Sequence, residues 1–168
     1  MAAGRFACTQ VLSHIVRGSN SLLSKSRSAL PQQKRLISLA SQAYQRYFTK
    51  DHEWIDVEGN VGTVGITDHA QAALGELVYV ELPEVEDSFD QDDSVGAVES
   101  VKAASDVMTP VSGTIVAVNE DLTANPSLIN KNAESDAWMF KIELSDADEL
   151  SEMLDAAGYK AFVDAESG

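Results

Sequence analysis

The chain has 168 residues, 44% of them hydrophobic, a net charge of −15 and a single cysteine, Cys8, so it can bury one modest core but cannot form an internal disulfide or a cysteine metal site. The charge is uneven: residues 1–50 hold eight Lys/Arg and no acid, while residues 51–168 hold four Lys/Arg and all 27 Asp/Glu, so that part carries 4 − 27 = −23. A body of that sign repels nucleic acid and anionic membrane, and suits protein partners with basic docking surfaces.

Residues 1–45 read as a removable address. Arg5, Arg17, Lys25, Arg27, Lys34 and Arg35 are spread among Ser, Ala and Leu with no acid, the composition of a mitochondrial transit peptide. No apolar run is long enough to span a bilayer. Cleavage near Arg35 or near Arg46 fits equally, and a body of residues 46–168 follows. With Cys8 in the address segment, the body has no thiol of its own.

In the body, Trp54–Val57 reads as a strand and Glu58-Gly59-Asn60 as a turn. Val61–Ile66 pairs back as a hairpin. Thr67 can cap a short helix from Asp68 to Leu74, which Gly75 ends. Leu77–Leu82 is the clearest strand, stopped by Pro83, and an acidic loop runs from Glu84 to Asp93. Gly96-Ala97-Val98-Glu99-Ser100-Val101-Lys102-Ala103-Ala104-Ser105-Asp106 then reads as a strand, a hairpin tip and a second strand that continues to Pro110.

Further on, Ser112-Gly113 turns the chain into a strand over Thr114–Val118. Asn125-Pro126 is a turn, Leu128-Ile129 a short strand and Ala137–Leu144 the last strand. Ser145 with Asp148 is a near capping box for a helix over about 146–157 that Gly158 ends, with Tyr159 and Phe162 on a last turn or short helix. Short strands at regular spacing indicate a small barrel or sandwich. Gly62-Thr63-Val64 and Gly113-Thr114-Ile115 hint at an internal repeat.

Among these segments, Lys102 has a distinctive setting. It alone of the four basic residues after Asp51 sits in a run of small, uncharged residues with no opposite charge beside it. A lysine on a hairpin tip offers one amine on a flexible four-carbon stem, a suitable place for a group that must reach other proteins. The usual catalytic patterns are missing: there is no G-x-S-x-G, no phosphate loop, no G-x-G-x-x-G and no H-E-x-x-H. His52 and His69, isolated in sequence, read as ordinary polar histidines. Asp90, Asp92 and Asp93 lack the glycine of a calcium loop and read as a solvated charge run.

The Gly96–Asp106 segment followed by Pro110-Val111-Ser112-Gly113 resembles the lipoyl-attachment region of the glycine cleavage system H proteins. So do Lys50-Asp51-His52-Glu53-Trp54, Val64-Gly65-Ile66-Thr67 and Ala73–Glu84, with Asn119-Glu120, Asn125-Pro126 and Leu144-Ser145-Asp146 in the same order. The resemblance covers roughly Tyr47 to Tyr159. Three places depart from the family's usual pattern. Glu86 stands where a glycine is usual, Glu134-Ser135-Asp136-Ala137 precedes the late Trp138 without the usual Tyr and Gly, and Met108-Thr109 replace a usual Tyr and Ser.

The resemblance implies a mostly β fold, a lipoyl-type hybrid of barrel and sandwich with a short internal helix and a C-terminal helix. It implies lipoate in amide linkage to Lys102, with Glu99, Ser100, Val101 and Ala103 as the hairpin neighbours of the attachment site. The implied role is a non-catalytic carrier, a monomer in the mitochondrial matrix. It would shuttle the aminomethyl group of glycine from a pyridoxal-phosphate glycine decarboxylase to a tetrahydrofolate-dependent aminomethyltransferase, and be reoxidised by dihydrolipoamide dehydrogenase. Lipoate-attaching enzymes are further implied partners. In the family, a glutamate at the position of Glu53 is thought to help hold the carried amine; a solvated strand-edge acid is the plainer reading of that residue.

Other carriers fit less well. A lipoyl domain of a 2-oxo acid dehydrogenase usually has Asp before the lysine, and a biotin carrier usually has Met on both sides; here the neighbours are Val101 and Ala103. An unmodified scaffold, or a relay that hands lipoate to other proteins, remains open at this stage.

Overall fold

The computed structural model describes residues 45–166. The expected address segment, Cys8 included, lies outside the described residues except for Gln45. The chain opens with β1 (Gln45–Phe48), β2 (Glu53–Glu58) and β3 (Val61–Ile66), an antiparallel meander. Glu58 faces Val61, so Gly59-Asn60 is a two-residue turn, and Gly59 takes the left-handed backbone (φ 66°) that such turns need.

Thr67 then caps α1 (Asp68–Leu74), its hydroxyl accepting from the Ala70 N–H, and Gly75 (φ 87°) closes the helix by donating its N–H to Gln71 O. The chain continues through β4 (Leu77–Glu81), β5 (Ser88–Phe89), β6 (Ser94–Ser100), β7 (Ala104–Met108) and β8 (Gly113–Val118). Short helices α2 (Asp121–Ala124) and α3 (Ile129–Asn132) follow, with a 3-10 turn at Pro126–Leu128 between them. β9 (Phe140–Leu144), a 3-10 turn at Asp148–Glu152 and α4 (Ala156–Glu166) complete the described chain.

The strands form two sheets, a six-stranded one in the order β1-β2-β3-β9-β8-β5 and a three-stranded one in the order β4-β6-β7. Neither closes on itself, so the expected barrel-sandwich hybrid is realised as a sandwich-like, mostly β fold. Its main core unites both sheets through Ile55, Val64, Val80, Val98, Val107, Ile115, Phe140 and Ile142, all at most 2% exposed. Burying side chains of this size removes about 1.5–3 kcal/mol worth of apolar surface each, an upper figure because unfolded chains are already partly compact. The two Gly-Thr segments lie on either side of β9, where Gly62 and Ile115 both face Ile142.

A second cluster sits under α4: Phe48, Trp54 and Tyr159, with Leu154 and Phe162 packed against it. Phe48 and Tyr159 stack at 4.5 Å. The Trp54 Nε1–H donates to Ile66 O (2.9 Å) and Ala133 O (3.1 Å), and the Arg46 guanidinium lies 4.2 Å over its ring.

Several expected elements differ. Leu128-Ile129 is helical, the end of the 3-10 turn and the start of α3, because Ile129 is buried from a helix. Ala137–Met139 precede the last strand, which begins at Phe140. The C-terminal helix runs over 156–166 instead of 146–157. Leu154 must be extended to pair with Phe48, with mutual N–H···O bonds of 2.9 Å, so the chain cannot be helical there. Gly158 lies inside α4 and donates its N–H to Asp155 Oδ1 (2.7 Å), so Asp155 starts the helix where Gly158 was expected to stop one. Strands β1 and β5 and helix α2 carry no clear periodicity in the sequence.

Glu86, which replaces a usual glycine, has φ 77° and donates its N–H to Ile115 O (2.8 Å). A left-handed backbone costs a residue with a Cβ about 1–2 kcal/mol. Glu86→Gly keeps the hydrogen bond and relieves that strain, so urea unfolding should show a gain of up to about 1 kcal/mol after the entropy of glycine is discounted.

Candidate functional site

Lys102 stands on the two-residue tip between β6 and β7. Val98 faces Ser105, Glu99 faces Ala104, and the Ser100 N–H donates to Ala103 O (2.7 Å). Neither Val101 nor Lys102 has the positive φ typical of a two-residue hairpin loop. The Ser100 hydroxyl takes over the closing role: its oxygen accepts from the N–H of Lys102 (3.3 Å) and of Ala103 (3.0 Å), and it donates to Ala103 O (3.1 Å). A serine side chain thus ties the amides of Lys102 and Ala103 and fixes the backbone that carries the lysine.

The tip is open to solvent. Val101 is 82% exposed, Lys102, Ala103 and Glu99 are exposed, and among the described residues the Lys102 ammonium has no ion-pair partner. Its stem passes over Gly75, the residue that ends α1: a Cβ built there would lie 3.2 Å from Lys102 Cε and 3.5 Å from Nζ. The missing side chain leaves room for the lysine. The carbonyl end of α1, with no basic residue in its last turn, is a mildly favourable place for the ammonium.

Glu53 opens β2 and is buried, 2% exposed, so it is not a solvated edge acid. Oε1 accepts from the Met108 N–H (3.1 Å) and Oε2 from the Thr49 hydroxyl, whose oxygen in turn accepts the Glu53 N–H (3.0 Å). Burial raises its carboxyl above the usual value of 4.5. The Thr49 hydroxyl, the Met108 N–H and its own N–H oppose the rise, and nearby Asp51 adds to it. Met108 ends β7, the strand that starts at the tip, so one strand joins the Glu53 carboxyl to the Lys102 hairpin. The bonds of Glu53 go to Thr49 and Met108, and none goes to the tip.

Sequence reasoning missed Thr49 and Met108 as partners of Glu53, and Gly75 as the floor under Lys102. A signal existed for Gly75 only as a helix stop. His52 and His69, apart in sequence, come together with ring centroids 4.6 Å apart. Burial first, then His69, holds the His52 imidazole below its usual value, with Glu166 and Asp51 pulling the other way. A cavity of about 210 Å³ opens between Phe48–Asp51, Asp92, Pro110 and Met153-Leu154; neither Lys102 nor Glu53 lines it.

Comparison with known proteins places this geometry among relatives. Residues 46–166 match the family model described as glycine cleavage H-protein. The chain is 53% identical over 130 residues to the glycine cleavage system H protein of Acidobacterium capsulatum, covering 77% of this chain and 99% of that one. It is 48% identical over 136 residues to the glycine cleavage system H protein 2, mitochondrial, of Arabidopsis thaliana, covering 77% of this chain and 87% of that one. A crystal structure of a glycine cleavage system H protein from Mycobacterium marinum matches with a TM-score of 0.65 at 36% identity, over 70% of this chain and 95% of that chain.

The raised carboxyl of Glu53 has a measurable consequence. A group whose folded pKa lies above its unfolded value stabilises the fold below the unfolded pKa, and that contribution is lost as pH rises through the folded pKa. Glu53→Gln, which can still accept from Met108 and donate to Thr49, should therefore gain stability relative to the parent as pH rises from 4.5 towards neutral. Glu53→Ala leaves the Met108 N–H without its partner and should cost about 1–3 kcal/mol. Urea unfolding of the three proteins below pH 4.5 and at neutral pH checks both the sign and the size.

Proposed function

The chain belongs to the glycine cleavage H-protein family, and from that premise we propose that it is the lipoyl carrier of a glycine cleavage system, with lipoate in amide linkage to Lys102. The observation that carries the reading is the tip itself: an exposed lysine, unpaired among the described residues, on a two-residue turn where Ser100 ties the amides of Lys102 and Ala103. Those residues fit the group. The Nζ is accessible for acylation, and Gly75 presents no side chain beneath the stem. Amide formation removes the ammonium charge and with it the attraction to the carbonyl end of α1, which frees the stem to leave that surface.

When bound, lipoate supplies a dithiolane that takes up the aminomethyl unit of glycine as carbon dioxide is released, and is left as a dithiol once that unit passes to a folate. The chain's own residues do the holding and presenting. β6 and β7 fix the tip, while the lysine stem and attached arm supply the reach, which keeps the cargo at high effective concentration near each partner. Glu53, one strand away, is suited to a cationic amine. A nearby ammonium favours the charged carboxylate that burial disfavours, and each oxygen can accept a further bond. Glu99, Val101 and Ala103 form the exposed rim that a lipoate-attaching enzyme would meet.

The partners in this reading are the glycine decarboxylase, the aminomethyltransferase, dihydrolipoamide dehydrogenase and the lipoate-attaching enzymes, met through basic surfaces that complement the charge of −23 on residues 51–168. The acid-free N-terminus supports delivery to the mitochondrial matrix, as do the family's mitochondrial members. Among the described residues no helix is long and apolar enough to cross a membrane.

Reconstitution with the decarboxylase tests the reading. The lipoylated chain should support glycine-dependent exchange of carbon dioxide, and Lys102→Arg, which keeps the charge but cannot be lipoylated, should abolish it. Exchange that survives Lys102→Arg would remove the carrier role from this lysine. Glu53→Gln should be lipoylated normally and lose the carried aminomethyl unit faster than the parent; an unchanged rate would end the role given to Glu53.

A further inference from the structure

Three donors from separate parts of the chain converge. His52 lies in the loop before β2, His69 in α1 and Glu166 at the end of α4. One ligand atom from each lies within 4.8 Å of the others. His52 Nε2 and Glu166 Oε2 are 3.4 Å apart, and the His52 and His69 rings are 4.6 Å apart. We propose that His52, His69 and Glu166 form a site for a divalent transition-metal ion of the zinc class, which pins the end of α4 to α1 and to the loop that leads into β2. This inference stands apart from the carrier reading and uses none of its residues.

The donor set suits that ion. Zinc takes imidazole nitrogen and carboxylate oxygen at about 2.0–2.2 Å in a tetrahedron, which spaces the donors roughly 3.3 Å apart. The His52–Glu166 pair already has this spacing. His69, partly exposed on a helix surface, needs to close by on the order of 1 Å, within reach of a side-chain rotation. Three protein donors leave the fourth position to water.

His52 is also held as metal-bound histidines usually are, by a partner on its other ring nitrogen. Nδ1 lies 2.7 Å from the Tyr159 hydroxyl, which lies 2.8 Å from the buried Thr67 hydroxyl. With the proton on Nδ1, His52 donates to Tyr159, Tyr159 donates to Thr67, and the Nε2 lone pair is left facing His69 and Glu166. The backbone adds a constraint. His52 has φ 72°, a left-handed conformation that a residue with a Cβ seldom holds, and its carbonyl is fixed by the Thr67 N–H (2.9 Å). This backbone aims the ring across α1 towards α4.

The test is a zinc titration of the full chain, stripped with a chelator, against a chromophoric competitor, with thermal unfolding followed in parallel. One zinc per chain is expected at micromolar affinity or tighter, together with a rise in melting temperature. His69→Ala and Glu166→Gln should each weaken binding about tenfold or more, and His69→Ala should lose the thermal shift. Among the described residues the His69 side chain makes no hydrogen bond and is only partly buried, so His69→Ala should fold as the parent does, which circular dichroism checks. Cys8→Ser should bind as the parent does. Absence of binding, parent-like affinity in either ligand variant, or loss of binding in Cys8→Ser would overturn the site.

Discussion

The Ser100 hydroxyl at the mouth of the β6–β7 turn is the interaction on which the presentation of Lys102 depends. A hairpin of two residues normally needs a left-handed backbone at its tip, and valine and lysine both resist one. The serine oxygen receives the amides of Lys102 and Ala103, so the turn closes without a left-handed residue. β6 is also paired on both sides, by β4 and by β7, so the lysine sits at the end of the central strand of its sheet. Close pairing constrains the sequence further along. A Cβ on Gly96 would lie 2.3 Å from Glu81 O, so only glycine lets β4 approach β6 there. Rigidity in the strand and freedom in the side chain are thereby separated, as a carrier requires.

Glu53 shows how the same scaffold tolerates a buried acid. The Thr49 hydroxyl and the Met108 N–H satisfy its oxygens, and among the described residues every buried side-chain nitrogen or oxygen has a hydrogen-bond partner. The carboxyl remains pushed upward because burial outweighs those bonds. A cation arriving beside it would reverse the balance. That responsiveness distinguishes Glu53 from Asp56, whose carboxylate is already engaged by Arg46 at 2.6 Å. The C-terminal helix closes the neighbouring face by stacking Tyr159 on Phe48, only five residues before Glu53, so packing at the end of the chain supports the loop that positions the acid.

The parts of this arrangement that were legible in the sequence are those fixed by local chemistry. Thr67 and Gly75 mark α1 because a cap and a left-handed stop are properties of single residues. The Lys102 hairpin was legible because small residues surround a single charge. Leu128-Ile129 misled because a two-residue apolar run has no period, and burial from a helix looks the same as burial from a strand. The C-terminal helix was displaced because Ser145 and Asp148 imitate a capping box. In the fold, the Asp146 carboxylate accepts the Asp148 N–H (2.9 Å) at the start of a 3-10 turn, and the pairing of Leu154 with Phe48 holds the chain extended before Asp155 begins α4. The partners of Glu53 and the meeting of His52 with His69 depend on contacts distant in sequence, which no local pattern encodes.

The central claim is that Lys102 is the attachment point of a single lipoyl group. Peptide mass spectrometry of the protein purified from its own cells tests it most directly. The account predicts one lipoyl modification, on the peptide containing Lys102 and on no other lysine. A bare Lys102 in cells that lipoylate their other carriers would contradict it and leave the hairpin as a scaffold alone.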